Sequence, residues 1–196
     1  MLNFVAEMQE QLILFISGAG SNARQIINYF NDNERVNIVG VLSSKPNSEM
    51  ERFCEGQRLP FYNLHGKDFS DYLQICHELD ASWVILAGFL KKIPTEFIAA
   101  FPDKIINIHP SLLPNYGGAG MYGQHVHGAV SAANEAFSGI SIHLVNEEFD
   151  KGKLLFQRAV ALLENANANE VEAAVRSLEK RYFAKDLDTY FSEFIK

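Results

Sequence analysis

Asn107 and His109 stand two residues apart in the stretch NIHPSLLP, at the end of the apolar run KIINIH. An amide N–H suits an oxygen that gains negative charge in an acyl-transfer transition state, and a nearby imidazole can donate or accept the accompanying proton. Asp150, in NEEFDKG, adds a carboxylate. Returned to the same place by the fold, it favours the imidazolium form of His109. Each residue also has an ordinary reading: His109 as a buried histidine bonded to backbone, Asn107 as a turn-forming amide, Asp150 as a turn or cap residue before Gly152. Pro110 and Pro114 restrict the backbone directly after the histidine, which favours a built site over a strand that merely ends.

A second chemical signal is FISGAGSN, where Gly18 and Gly20 permit a tight turn while Ser21 and Asn22 supply donors at the start of a helix. Such a loop can cradle an anion. It lacks the GK[ST] ending of a nucleotide P-loop, and Ala23 stands where a GxGxxG fingerprint has its last glycine, which leaves a dinucleotide binder open. A plain helix-capping turn accounts for the loop equally well. His125 and His127 in QHVH, with His109 and His143, invite a metal reading, but no carboxylate stands at a familiar ligand spacing beside them. His143 reads instead as a strand histidine packed near the site. Ser111 lacks the GxSxG elbow of a serine hydrolase.

The elements that must position these groups follow a βαβ rhythm. Apolar, β-rich runs recur at LILFIS, NIVGVLS, PFYNL, WVILAGF, KIINIH, GISIHLV and KLLFQRAV, with helical stretches at Ala23 to Asn31 and Asp71 to Leu79. LILFIS and WVILAGF are continuous rather than alternating, as central strands covered on both faces are. The predicted fold is α/β, a mostly parallel central sheet of about six or seven strands flanked by helices. If KIINIH ends a parallel strand, Asn107 and His109 lie at its carboxyl end, where open α/β sheets bind ligands, and their i, i+2 spacing points both side chains the same way. Asn169 followed by Glu172 suggests a capping box for a last helix over Val171 to Phe194, with Leu178, Phe183, Leu187 and Phe191 toward a core.

The 196 residues suit one domain, and we divide them into an N-terminal extension, 1–11, and a single domain, 12–196. At 47% hydrophobic and 21% charged residues the chain is globular, and no apolar run nears the roughly 18 to 20 residues that span a bilayer. Glu7 and Glu10 occupy the place where a secretory signal carries basic residues, and Cys54 and Cys76 lack CxxC spacing, so a cytoplasmic setting with free thiols is expected. A formal charge of −7 disfavours a broad nucleic-acid surface, leaving room for a small basic pocket.

Taken in order, SGAGSN, LAGFLKKI, NIHPSLLP and FDKGKLLFQ resemble the folate-dependent formyltransferases, and among them the phosphoribosylglycinamide formyltransferase branch of purine biosynthesis, from about Leu12 to Glu179. The resemblance implies a Rossmann-like formyltransferase fold. It implies transfer of a formyl group from 10-formyltetrahydrofolate to the amine of 5'-phosphoribosylglycinamide, giving formylglycinamide ribonucleotide and tetrahydrofolate on the route to IMP. By that resemblance Asn107, His109 and Asp150 are the catalytic trio. Gly20, Ser21 and Asn22 hold the ribonucleotide phosphate, Glu179 contacts the same substrate, and the folate lies along Leu90, Lys91, Lys92, Ile93 and Asn107 and the loop before Asp150. The folate is a co-substrate; no metal and no tightly held cofactor are implied.

The chain also departs from that pattern. NYGGAGMYGQHVHGAV is long and glycine-rich after Pro114, so Tyr116 to Val130 is read as a loop whose contacts are not transferable. Lys67 only approximates the family's basic residue before the third helix, and Ile140 replaces the usual threonine of Gly-Thr-Ser. A sugar-nucleotide formyltransferase, a noncatalytic folate-binding protein and a nicotinamide-dependent oxidoreductase are the rival readings. A formyltetrahydrofolate hydrolase or a methionyl-tRNA formyltransferase would carry an added domain.

Overall fold

The computed structural model describes residues 9–193. The chain runs β1 (Glu10–Ile16), α1 (Ser21–Phe30), β2 (Val36–Ser43), α2 (Ser48–Gln57), β3 (Phe61–Asn63), α3 (Phe69–Glu78), β4 (Trp83–Leu86), α4 (Thr95–Ala100), β5 (Ile105–His109), α5 (Gln124–Ala132), β6 (Phe137–Leu144), β7 (Leu154–Ala161) and α6 (Ala168–Glu193). One seven-stranded sheet has the order β3-β2-β1-β4-β5-β6-β7, parallel through β5 and antiparallel at β6 and β7.

The continuous apolar runs are explained by burial on both faces of the sheet. Successive side chains of a strand point to opposite sides. Leu12, Leu14 and Ile16 of β1 therefore join Ile26 of α1 and Phe183, Leu187 and Phe191 of α6 in one core. Ile13 and Phe15 join Tyr72 of α3 and Phe97 of α4 in the other. Each large apolar side chain so enclosed contributes about 1.5–3 kcal/mol of burial. WVILAGF stays apolar beyond the strand: β4 ends at Leu86, and the chain turns at Gly88 (φ 80°) into the loop toward α4.

Three expectations need correction. The last helix is capped by Asn167 and Glu170, not by Asn169 and Glu172. The Asn167 side-chain oxygen accepts from the N–H of Asn169 and of Glu170, and the Glu170 carboxylate accepts from the Asn167 N–H at 2.8 Å. Glu172 is thereby left for another task, and Phe194 lies outside the described residues. The stretch Tyr116 to Val130 is not all loop, because α5 begins at Gln124 and buries Val126, His127 and Val130 despite its glycine. β1 starts at Glu10, within the stretch set aside as an extension; the Glu10 carboxylate accepts from Ser82 Oγ and Trp83 Nε1, both at 2.8 Å. Residues 1–8 lie outside the described residues. The sequence reading also passed over α2 and α4: α2 buries only Met50 and Cys54, and α4 spans six residues, too little pattern for either to be recognised.

The segment after β5 is clamped onto β6 and β7. Ser141 Oγ accepts from the Leu113 N–H at 2.9 Å and from Gln157 Nε2 at 3.0 Å, and donates to the Ser111 carbonyl at 2.7 Å. Gly139 permits this closeness: a Cβ there would meet the Arg158 carbonyl oxygen at 2.1 Å and Leu112 Cδ2 at 2.5 Å. Gly139→Ala is therefore expected to destabilise the fold by about 2–3 kcal/mol through overpacking, read as a lower urea midpoint with unchanged slope.

Candidate active site

The strand order reverses between β1 and β4, and a cavity of about 420 Å³ opens at the carboxyl ends of β1, β4 and β5, closed on its far side by α5 and α6. Open α/β sheets bind ligands at such a switch point because the flanking loops diverge there. The eleven residues that the resemblance assigns to the site all line this one cavity: the loop set Gly20, Ser21 and Asn22, the β4 set Leu90 to Ile93, and Asn107, His109, Asp150 and Glu179.

At one end, Gly20 (φ 78°) opens α1, a ten-residue helix with no side-chain cap and no acidic residue in its first turn. Its first N–H groups are left for an anion. A Cβ at Gly20 would press on Met50 Sδ at 2.9 Å, a second reason for glycine. Asn22 Nδ2 donates to Glu179 at 3.1 Å. Burial raises the Glu179 pKa, and Glu172 adds to the rise, against the opposing effects of Asn22 and Arg176. Two residues of this wall were not singled out from the sequence. Glu172 accepts from Gln124 and pairs with Arg176 at 2.6 Å. A helix charge pair at i, i+4 is too common to mark a site by itself.

Along the β4 loop, Leu90 is exposed, Lys91 donates to the Lys67 carbonyl at 3.3 Å, and Lys92 lies over the Phe149 ring. Ile93 is buried in the second core, so it offers the cavity backbone rather than a free side chain. The loop after β1 is tied to it, since the Leu90 N–H donates to Ser17 Oγ at 2.9 Å.

At the centre, His109 and Asp150 meet, with His109 Nδ1 at 3.4 Å from Asp150 Oδ1. His109 Nε2 lies 2.8 Å from the Tyr116 carbonyl, so both ring nitrogens face acceptors, an arrangement satisfied by the doubly protonated ring. His143 Nε2 stands 3.6 Å from the same carboxylate oxygen and 3.1 Å from Asn107 Nδ2. The Gly118 N–H donates to Asp150 Oδ2 at 2.8 Å. Burial alone would raise the Asp150 pKa, yet the hydrogen bond and the charge of His109 and the Gly118 N–H together hold it far below the ordinary carboxylate range. Asp150 reaches this position in a left-handed conformation, φ 56°, on the turn after β6.

The remaining histidines divide. His127 of α5 is buried and lines the cavity, with its Nδ1 unpartnered; burial lowers its pKa, Arg176 and His109 reinforce that direction, and Glu172 opposes it. His125 lies outside the cavity lining, its Nδ1 3.1 Å from the Gly120 carbonyl. Among the described residues no cluster of three or more His, Cys, Asp or Glu side chains is arranged to hold a metal ion, and no helix is long and apolar enough to cross a membrane. Cys54 and Cys76 are buried free thiols.

Comparison with known proteins gives the same picture over nearly the whole chain. A family described as formyl transferase matches residues 10–187. The chloroplastic phosphoribosylglycinamide formyltransferase of Arabidopsis thaliana is 33% identical over 96% of this chain, which spans 68% of that protein. The phosphoribosylglycinamide formyltransferase of Haemophilus influenzae is 30% identical over 89% of this chain and 84% of its own. The crystal structure of the enzyme so named from Anaplasma phagocytophilum superposes with a TM-score of 0.85 at 27% identity, covering 96% of this chain and 90% of the other.

The depressed Asp150 pKa carries a stability consequence. A carboxylate whose folded pKa lies below its unfolded value of about 3.8 contributes stability that is fully present above that value and lost as pH falls through the folded pKa. The stability difference between the wild type and Asp150→Asn, measured by urea unfolding, is expected to hold its full value from about pH 5 upward and to shrink toward about pH 3.

Proposed function

The chain belongs to the formyl transferase family, and from that premise we propose that it transfers a formyl group from 10-formyltetrahydrofolate to the primary amine of 5'-phosphoribosylglycinamide, releasing tetrahydrofolate. The observation that carries this reading is the convergence of Asn107, His109 and Asp150 on one cavity whose far end is an uncapped helix N-terminus. The comparison that supports the choice of amine is the name shared by the relatives that match most of the chain.

In this mechanism the ribonucleotide phosphate sits on Gly20, Ser21 and Asn22 at the head of α1, with Arg176 as the nearby cation and Glu179 toward the ribose. The folate lies along Leu90 to Ile93 and beneath Phe149. The amine nitrogen attacks the formyl carbon, and the carbonyl oxygen becomes an oxyanion held by the Asn107 amide and the charged His109 ring. The Nε2–H that donates to the Tyr116 carbonyl in the free protein turns its hydrogen bond to that oxygen and keeps its proton. Asp150 stays ionised and keeps His109 charged. A proton leaves the attacking nitrogen and reaches the departing folate nitrogen as the bond to the formyl carbon breaks, with a water at Asp150 and His109 as the carrier. The folate is consumed as a co-substrate. The two buried thiols and the acidic surface suit a reducing, cytoplasmic compartment.

The deciding assay follows the absorbance of tetrahydrofolate release with and without the ribonucleotide. Release that requires the ribonucleotide and falls by about a hundredfold or more in His109→Ala and Asp150→Asn is expected. Release without an amine would replace the transferase reading by a hydrolase. Arg176→Ala is expected to raise the ribonucleotide KM about tenfold with little change in kcat, because it removes binding that ground and transition states share.

A further inference from the structure

Asn107 and His143 face each other across the antiparallel pair β5–β6, in register, so their side chains share the cavity face of the sheet. The β6–β7 pairing slips between Ile142 and His143, the kind of bulge that re-aims a side chain beside a site. The His143 ring is buried, and its two nitrogens have fixed surroundings. Nδ1 is 2.8 Å from the Leu144 carbonyl, which can only accept, so Nδ1 carries a hydrogen. Nε2 meets Asn107 Nδ2 at 3.1 Å. The Asp150 oxygen, at 3.6 Å, is beyond hydrogen-bond length from it.

An asparagine amide has a donor end and an acceptor end of nearly equal shape, and only the donor end can stabilise an oxyanion. Turned over, Asn107 would present its own oxygen to the developing negative charge. A bare Nε2 admits only the NH₂ end. Resting on the formyl-transfer reading above, we infer that His143 is a positioning residue for Asn107: held as the Nδ1–H form by the Leu144 carbonyl, it takes one amide hydrogen of Asn107 and leaves the other for the formyl oxygen. The arrangement assigns the site's proton to His109, which faces Asp150 at the shorter distance of 3.4 Å. The charged and titratable groups facing His143 are Asp150 on the turn after β6 and, through that carboxylate, His109 on β5.

Nitrogen-15 NMR of ring-labelled histidine in the wild-type protein at neutral pH tests the first half: His143 is expected as the neutral Nδ1–H tautomer, and an imidazolium signal would overturn the inference. A double-mutant cycle tests the second. His143→Phe is expected to lower kcat about tenfold with both KM values within about twofold, and His143→Gln, whose side-chain oxygen can accept, to recover part of the loss. In an Asn107→Ala background the further change His143→Phe should have no effect on kcat. An equal loss in both backgrounds would show that His143 acts independently of Asn107 and would overturn the inference. A wild-type protein that transfers no formyl group would instead overturn the functional reading, while the NMR result still decides the tautomer.

Discussion

The Asp150 carboxylate is the constraint around which the site is organised. It is a largely buried charge, held by the His109 ring and the Gly118 N–H with the His143 ring beside it. Those partners come from β5, from β6 and from the segment that leads to α5, so the ionised carboxylate joins three parts of the chain. Its left-handed backbone, φ 56°, is a strained conformation for a residue with a side chain. Gly117 lets that segment pass close by, since a Cβ there would lie 3.3 Å from the Asp150 Cβ and 2.5 Å from Leu113 Cδ2.

The sheet supplies what the carboxylate needs. Five parallel strands bring the loops after β1, β4 and β5 to one edge, and the reversal of strand order between β1 and β4 separates them into a cleft. The antiparallel β6 then places His143 directly opposite Asn107, which no parallel neighbour on that side would do in the same register. α6 closes the cleft from behind with its apolar face in the first core, and brings Glu172, Arg176 and Glu179 to the anion end. The buried Asp186 ties that helix to Arg158 of β7 through two hydrogen bonds, which link the wall of the cavity to the edge of the sheet.

Much of this was legible in the residues. The apolar runs mark the strands, and the central ones are continuous because a strand covered on both faces must be apolar at every position, as in Leu12 to Ile16. The catalytic candidates were visible because NIHPSLLP places two polar groups at i, i+2 with prolines after them. The capping box of α6 was placed two residues late because Asn167 and Asn169 are equally good caps by type, and only the hydrogen bonds choose. α5 was hidden by glycines that suggest a loop, although its buried Val126 and Val130 give it a core to pack on. Arg176 was passed over, and Glu172 was read as a cap and not as part of the site, because surface-like charges four residues apart are ordinary on any helix.

The sequence by itself determined the α/β class, the strands and the chemical types at the site, since periodicity, turn chemistry and side-chain functional groups are local properties. Tertiary structure alone decided which groups meet. Asp150 lies far from His109 along the chain, and Glu179 farther still from Asn22, so no local rule measures 3.4 Å or 3.1 Å between them. The ionisation of Asp150, the tautomer of His143 and the facing of the Asn107 amide follow from those distances and from burial. They are properties of the buried floor of the cleft, where His109 and His143 are shielded from water and each unpaired donor or acceptor is costly enough to select one arrangement.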